Sequence, residues 1–220
     1  MGILYIVSTP IGNLEDITIR AIKILFAVDI IACEDTRRTG LLLQHHKIKL
    51  KQQLIRYDAS TESQKAPELI ALLEQGKAVA LVSDAGTPLI SDPGFLLVRE
   101  CIKRGIKVVS IPGASALLAA LTTSGVPTDK FMFLGYPSEK KSHRLKLFAT
   151  LPKETTIIFY CAPHKLIQTL VDMKDVFGDI DIAVARELTK VHEEVWHGSL
   201  SQATEYFKDP KGEFVLLLHV

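Results

Sequence analysis

Two short charged runs and three unusual loops hold the residue types that could do chemistry. EDTR, Glu34–Arg37, supplies the carboxylates Glu34 and Asp35 beside the Arg37 guanidinium, and RELTKVHEE, Arg186–Glu194, gathers Glu187, Lys190, His192 and Glu193. Carboxylates of this kind can accept protons and the cations can hold anions, although such runs are also the ordinary composition of a solvated face. The longest loop, SDAGTPLISDPG over Ser83–Gly94, places two Ser-Asp pairs, two Pro and two Gly within twelve residues. Its exposed N–H groups, the carboxylates of Asp84 and Asp92, and the hydroxyls of Ser83, Thr87 and Ser91 suit amino-acid and ribose groups. A rigid linker with a helix cap near Pro93 is the structural alternative. TPIGNL, Thr9–Leu14, combines Pro10 with Gly12 and could shape itself against a ligand, or form a tight turn capped by Asn13 or Asp16. PGASA, Pro112–Ala116, opens a helix with small residues, which serves either ligand approach or close packing.

Other chemistries are disfavoured. No GxGxxG or GxxxxGK[ST] run occurs, which argues against a dinucleotide fold or a P-loop. The seven His show no ligand spacing, and Cys33, Cys101 and Cys161 stand far apart, so neither a metal site nor a disulfide framework is expected. The cysteine usage points to a reducing cytosol. Among 220 residues, 26 Lys+Arg against 25 Asp+Glu leave a net charge of +1, too little for a module that binds nucleic acid by bulk charge. Polynucleotide contacts would be local, as at Lys47, Lys49 and Lys51 or at Lys140, Lys141, His143, Arg144 and Lys146. Ile3–Val7 has no basic residue before it, unlike a secretory signal, and no apolar run approaches the roughly 18 residues of a membrane span.

The elements that must position these loops alternate between strand and helix, which predicts an α/β protein. Strands are expected at Leu4–Val7, Ile30–Cys33, Ala78–Val82 and Val108–Ile111, with helices at Thr18–Ala27, Ala66–Gln75 and Phe95–Lys103 between them. Each candidate loop therefore follows a strand. A boundary near residue 113 leads into an Ala- and Leu-rich helix, Ser115–Thr123. Beyond it, strands at Phe131–Leu134, Thr155–Tyr160, Ile182–Ala185, Glu194–His197 and Phe214–His219 alternate with helices near Leu145, Leu166–Val176 and Gln202–Phe207. The short connections there favour some antiparallel pairing. The expected domains are 1–113, with a mainly parallel sheet, and 114–220, with a mixed one.

TPIGNLEDITIRA, EDTRRT, SDAGTPLISDPG, PGASALLAAL, TSGVP and RELTKVHEE occur in that order. The set resembles the tetrapyrrole-methylase-fold (class III) methyltransferases, and within them the branch that methylates a cytidine 2′-O-ribose in small-subunit ribosomal RNA. The resemblance implies a two-domain α/β fold, a cytoplasmic homodimer, small-subunit ribosomal RNA as acceptor, and S-adenosylmethionine bound in a cleft between the domains, with no metal and no membrane. By that resemblance Pro10, Gly12, Asp84, Gly86, Thr87, Pro88, Ile90, Ser91, Ser115, Ala116, Cys161 and Ala185 would contact the cofactor. Glu34, Asp35, Arg37, Glu187 and Lys190 would be the catalytic candidates, the carboxylates accepting the ribose proton and the cations holding phosphates or a developing oxyanion. No one of the five stands out.

Two motifs depart from the branch. GYPS, Gly135–Ser138, stands where relatives read GFLP, and CAPHK, Cys161–Lys165, where they read ESPHR. The second exchange removes a carboxylate and replaces an Arg fork with Lys165. The sequence also ends just after GEFVLLL, short of the carboxyl-terminal extension that many relatives carry. A tetrapyrrole or other small-molecule acceptor, or a non-catalytic S-adenosylmethionine-binding protein, are the alternatives.

Overall fold

The computed structural model describes residues 1–48 and 52–220, so Lys49 and Lys51 of the first basic run lie outside the described residues. Two compact units divide the chain, Met1–Ser115 and Ala116–Val220.

In the first unit β1 (Ile3–Val7), β2 (Ile30–Cys33), β3 (Gln53–Arg56), β4 (Val79–Val82) and β5 (Lys107–Ile111) form a sheet in the order β3-β2-β4-β1-β5. Every pairing in it is parallel. Helices α1 (Ile19–Ala27), α2 (Thr36–His45), α3 (Glu62–Glu74) and α4 (Phe95–Lys103) connect the strands. The central strands are apolar throughout because both faces are covered. Leu4, Ile6, Val79 and Leu81 pack with Leu69 and Leu73 of α3 and Leu97 of α4. The alternate residues Val7, Ile31, Ala80 and Val82 pack with Leu25 of α1 and Leu43 of α2. A wholly parallel sheet sends all its carboxyl ends to one edge, and the loops at Thr9, Glu34, Ser83 and Pro112 all leave from it.

Three features differ from the sequence expectation. Residues Thr36–His45, which begin inside the charged EDTR run, form α2, with the Asp35 side chain accepting the Arg37 N–H as its cap. Gln53–Arg56 adds the edge strand β3. Helix α3 starts at Glu62, within a stretch that reads as polar loop, and contains Pro67.

The second unit comprises α5 (Ala116–Thr123), β6 (Phe131–Phe133), α6 (Lys141–Phe148), β7 (Thr156–Cys161), α7 (Leu166–Phe177), β8 (Asp181–Arg186), β9 (Glu194–Ser199), α8 (Leu200–Tyr206) and β10 (Phe214–His219). Its sheet has the order β6-β7-β10-β8-β9, with β6 and β7 parallel and the other pairs antiparallel. Both β7 and β8 oppose β10, so β6, β7 and β8 run the same way and their following loops share one edge. One face carries the core of Phe159, Val184 and Leu216 against Leu170 of α7 and Phe148 of α6.

Arg144 is a correction to the second basic run. Its side chain is 4% exposed and donates through Nε to Asp172 Oδ2 at 2.9 Å, with Asp172 fully buried. The letters Lys140–Lys146 read as one cationic patch, but the helical turn of α6 directs Arg144 into the core and away from any phosphate.

Candidate functional site

At the carboxyl edge of the first sheet the three loops are joined through short polar contacts. The Thr9 N–H donates to the Gly86 carbonyl at 2.9 Å and the Gly86 N–H donates back to the Thr9 carbonyl at 3.0 Å. The Thr9 hydroxyl reaches the Ser83 carbonyl at 3.1 Å. The Thr87 hydroxyl lies 2.9 Å from that of Ser8 and donates to the Ala114 carbonyl at 3.1 Å. Gly113 permits this approach, since a Cβ there would stand 2.8 Å from the Ser8 Cβ. TPIGNL, the Ser83–Gly94 loop and PGASA thus form one polar platform around Gly86 and Thr87. Pro10 and Pro88 are buried in it, while Gly12, Ile90 and Ser91 are exposed and Ser115 is half-buried.

The turn chemistry of the first loop is settled locally. The Asn13 side chain caps a single 3₁₀ turn, Leu14–Asp16, and Thr18 caps α1 by accepting the Ala21 N–H at 3.0 Å. The second loop is held against its own backbone preference. Leu89 and Ser91 have φ of 72° and 67°, flanked by Gly86 at 85° and Gly94 at 136°. Left-handed conformations at two non-glycine residues cost on the order of 1–3 kcal/mol each and persist only where the surroundings over-determine them. Glu62 supplies part of that constraint. Its Oε1 accepts the Gly94 and Leu96 N–H groups at 2.9 and 3.2 Å and the Tyr57 hydroxyl at 3.0 Å, so the start of α4 is capped from α3 rather than by a residue near Pro93.

Carboxylates collect beside the platform. The Asp84 N–H donates to Glu34 Oε1 at 3.2 Å, and the Asp35 N–H donates to Asp84 Oδ1 at 3.1 Å. Burial raises the Glu34 pKa, opposed by the Asp84 N–H. Asp92 is pushed up to about 7 by burial and by the Glu34 charge, against a hydrogen bond from Ser83. Asp35 behaves oppositely. Hydrogen bonds from the Arg37 side chain, 2.7 Å at the closer ion-pair contact, hold its carboxyl well below the usual range. Asp92 is therefore poised to take up a proton near neutrality and Glu34 binds one more readily than a free glutamate, while Asp35 stays ionised and orients Arg37. Asp92 stood out in the sequence only as one of two carboxylates in its loop; its like-charged neighbours are a product of the fold.

In the second unit, Glu187 and Thr189 also have positive φ, 51° and 65°. Glu187 Oε1 accepts Lys190 Nζ at 2.8 Å and the Glu213 N–H at 2.9 Å, and Lys190 Nζ also meets Glu213 Oε2 at 3.0 Å. The hydrogen bond from Lys190 lowers the Glu187 pKa. Burial acts to lower that of Lys190, but the Glu187 and Glu213 carboxylates outweigh it and the net shift is upward. Lys190 is thus a fixed cation suited to holding an anion, and a poor base.

Cys161 and Ala185 lie at the ends of β7 and β8 and are both buried. The Cys161 thiol points into the core among α7 residues, and burial pushes it up to about 11. Its neighbour Tyr160 takes the other face, where register aligns Tyr160, Val215 and Ala185 across the sheet. The Tyr160 hydroxyl accepts the Leu117 N–H at 3.2 Å, next to Ala116 at the start of α5. The side chain presented beside Ala116 is therefore Tyr160, which the sequence reading missed because a one-residue shift along a strand exchanges faces. Among the described residues no group of His, Cys, Asp and Glu is arranged to hold a metal ion, and no described helix is long and apolar enough to cross a membrane.

Residues 3–204 match the Tetrapyrrole (Corrin/Porphyrin) Methylases. A Synechocystis protein named Ribosomal RNA small subunit methyltransferase I is 51% identical over 222 residues, covering 99% of this chain and 79% of that protein. A Thermotoga maritima protein of the same name is 47% identical over 221 residues, covering 99% of this chain and 98% of that one. Among solved structures, uroporphyrin-III C-methyl transferase from Thermus thermophilus complexed with S-adenosyl homocysteine has a TM-score of 0.68 at 18% identity, covering 98% of this chain and 97% of that one. That likeness is one of fold, and it matches the parallel first sheet and mixed second sheet described above. The profile match spans nearly the whole chain and the relatives are close along its length: this chain belongs to the tetrapyrrole (corrin/porphyrin) methylase family.

Proposed function

We propose that the chain is an S-adenosylmethionine-dependent methyltransferase that modifies a cytidine 2′-hydroxyl of small-subunit ribosomal RNA, and that it works in the cytoplasm as a homodimer. The observation that carries this reading is the 51% identity, over 99% of the chain, to the Synechocystis protein named Ribosomal RNA small subunit methyltransferase I. The ordered motif set, EDTRRT and RELTKVHEE included, supports the ribose acceptor. Dimerisation would double the cationic surface that a chain of net charge +1 can offer.

The donor set of the first unit fits the cofactor. An amino-acid group and ribose hydroxyls need N–H donors and carboxylate or carbonyl acceptors side by side, and the segment from Asp84 to Ser91 offers both on a backbone held in left-handed turns. Pro10, Gly12, Asp84, Gly86, Thr87, Pro88, Ile90, Ser91 and Ser115 are the proposed contacts in that unit. Ala116, Ala185 and the backbone at Cys161 are those in the second. When bound, S-adenosylmethionine supplies a methyl group carried on a positively charged sulfur.

The chain's own residues manage the acceptor. Glu34, whose proton affinity is raised by burial, takes the proton released by the ribose hydroxyl. Arg37, oriented by Asp35, and Lys190, fixed by Glu187, hold flanking phosphates or the developing oxyanion. The test is transfer of labelled methyl from S-adenosylmethionine to purified small subunits, with naked ribosomal RNA and tetrapyrrole precursors in parallel. Label in subunit RNA is expected; label in the tetrapyrrole alone, or in no acceptor, would refute the assignment.

A further inference from the structure

We propose that the ring of Tyr136 is a stacking platform for an unpaired base of the acceptor RNA, an inference that rests on the RNA acceptor proposed above. Tyr136 follows β6, whose carboxyl end shares a sheet edge with that of β8 and hence with the Glu187–Lys190 loop. Its side is open to solvent, at 60% exposure. It is a largely exposed aromatic ring on an otherwise polar turn, GYPSEKK.

The ring is nevertheless held in place. It meets Tyr160 edge-on at a centroid distance of 5.7 Å, and Tyr160 is itself fixed by its N–H bond to the Gly135 carbonyl at 2.9 Å. The turn behind it is anchored by Arg144, whose Nη1 donates to the consecutive carbonyls of Ser138 and Glu139, each at 2.8 Å. A guanidinium buried against Asp172 is an expensive way to pack two helices, since apolar side chains would do that as well. The guanidinium spans both tasks, Nε and Nη2 meeting Asp172 while Nη1 holds two successive carbonyls of the turn.

The surroundings match a nucleic acid. Lys140 and His143 are exposed, and the nearby acid Glu139 is neutralised by Lys165 at 2.8 Å, while the half-exposed Lys141 is engaged by Asp172 and Asp175 at 3.3 and 3.5 Å. Bases splayed out of RNA stack on aromatic side chains, with cations taking the adjoining phosphates.

The experiment compares unaltered protein, Tyr136→Ala and Tyr136→Phe in steady-state transfer to small subunits, and in binding a single-stranded oligonucleotide of the acceptor sequence. Tyr136→Ala should raise the KM for subunits and weaken oligonucleotide binding about tenfold, leaving kcat, the KM for S-adenosylmethionine and the melting temperature in place. Tyr136→Phe, which keeps the ring, should stay within about twofold of the unaltered protein. An unchanged KM in Tyr136→Ala would overturn the inference, as would a Tyr136→Phe variant equally impaired. A defect on subunits with no loss of oligonucleotide binding would assign the ring to a subunit protein and overturn it too. No transfer to subunits by the unaltered protein would instead overturn the acceptor assignment beneath it.

Discussion

Glu34 and Asp84, fifty residues apart in sequence, are latched together: the Asp84 N–H donates to Glu34 Oε1, and Asp84 Oδ1 in turn accepts the N–H of Asp35. The latch makes one unit of the loops that follow β2 and β4. It also brings the Glu34 and Asp84 carboxylates close enough to Asp92 for like charges to raise its proton affinity.

That cluster gives stability a defined pH dependence. Asp92 titrates near 7 in the folded chain against about 3.9 unfolded, so the folded state binds the extra proton between those values. The contribution is fully present below about pH 4 and is lost as pH rises toward 7. Melting temperatures of Asp92→Asn and the unaltered protein, compared from pH 5 to 8, should diverge, with the variant losing part of the fall. Parallel curves would contradict the assignment.

Glu34 and Lys190 should give different kinetic signatures. Glu34→Gln removes the proton acceptor and should lower kcat by roughly 10²- to 10⁴-fold with little change in S-adenosylmethionine affinity. Lys190→Ala removes a fixed cation, so it should raise the KM for RNA and reduce the salt slope of RNA binding by about one. Initial rates and a salt titration on the same preparations separate the two.

Much of the framework was legible in the sequence for physical reasons. Strands buried on both faces, such as Val79–Val82, read as unbroken apolar runs, and the density of Pro, Gly and Asp in Ser83–Gly94 marked a loop that needs special backbone geometry. Helix α2 was hidden because it opens on Thr36, Arg37 and Arg38 and contains Gly40, while β3 has only Ile55 buried. The cap that Glu62 places on α4 and the burial of Arg144 depend on partners distant in sequence. Positive φ at Leu89, Ser91, Glu187 and Thr189 has no signature in those residue types.

Two glycines should respond differently to an added methyl. At Gly94 a Cβ would stand 2.8 Å from a Leu81 methyl and 2.9 Å from Leu89 Cγ, at a φ of +136°. Gly94→Ala should therefore cost about 2–4 kcal/mol in denaturant melts, from overpacking and backbone strain together. At Gly212, also at a positive φ of +95°, the nearest atom is Glu187 Cγ, at 2.5 Å, on a side chain that can swing aside only by giving up its bonds to Lys190 and the Glu213 N–H. Gly212→Ala should destabilise less but release Lys190 from Glu187, raising the KM for RNA. Equal stability losses with unchanged kinetics at Gly212 would contradict this placement of Glu187.

The most direct measurement is nucleoside mass analysis of small-subunit RNA after incubation with the protein and S-adenosylmethionine. A 2′-O-methylcytidine absent from the untreated subunit is expected, and it should be lost with Glu34→Gln. A methyl group found on a base, or RNA with no added methyl while a tetrapyrrole acquires one, would contradict the ribose acceptor.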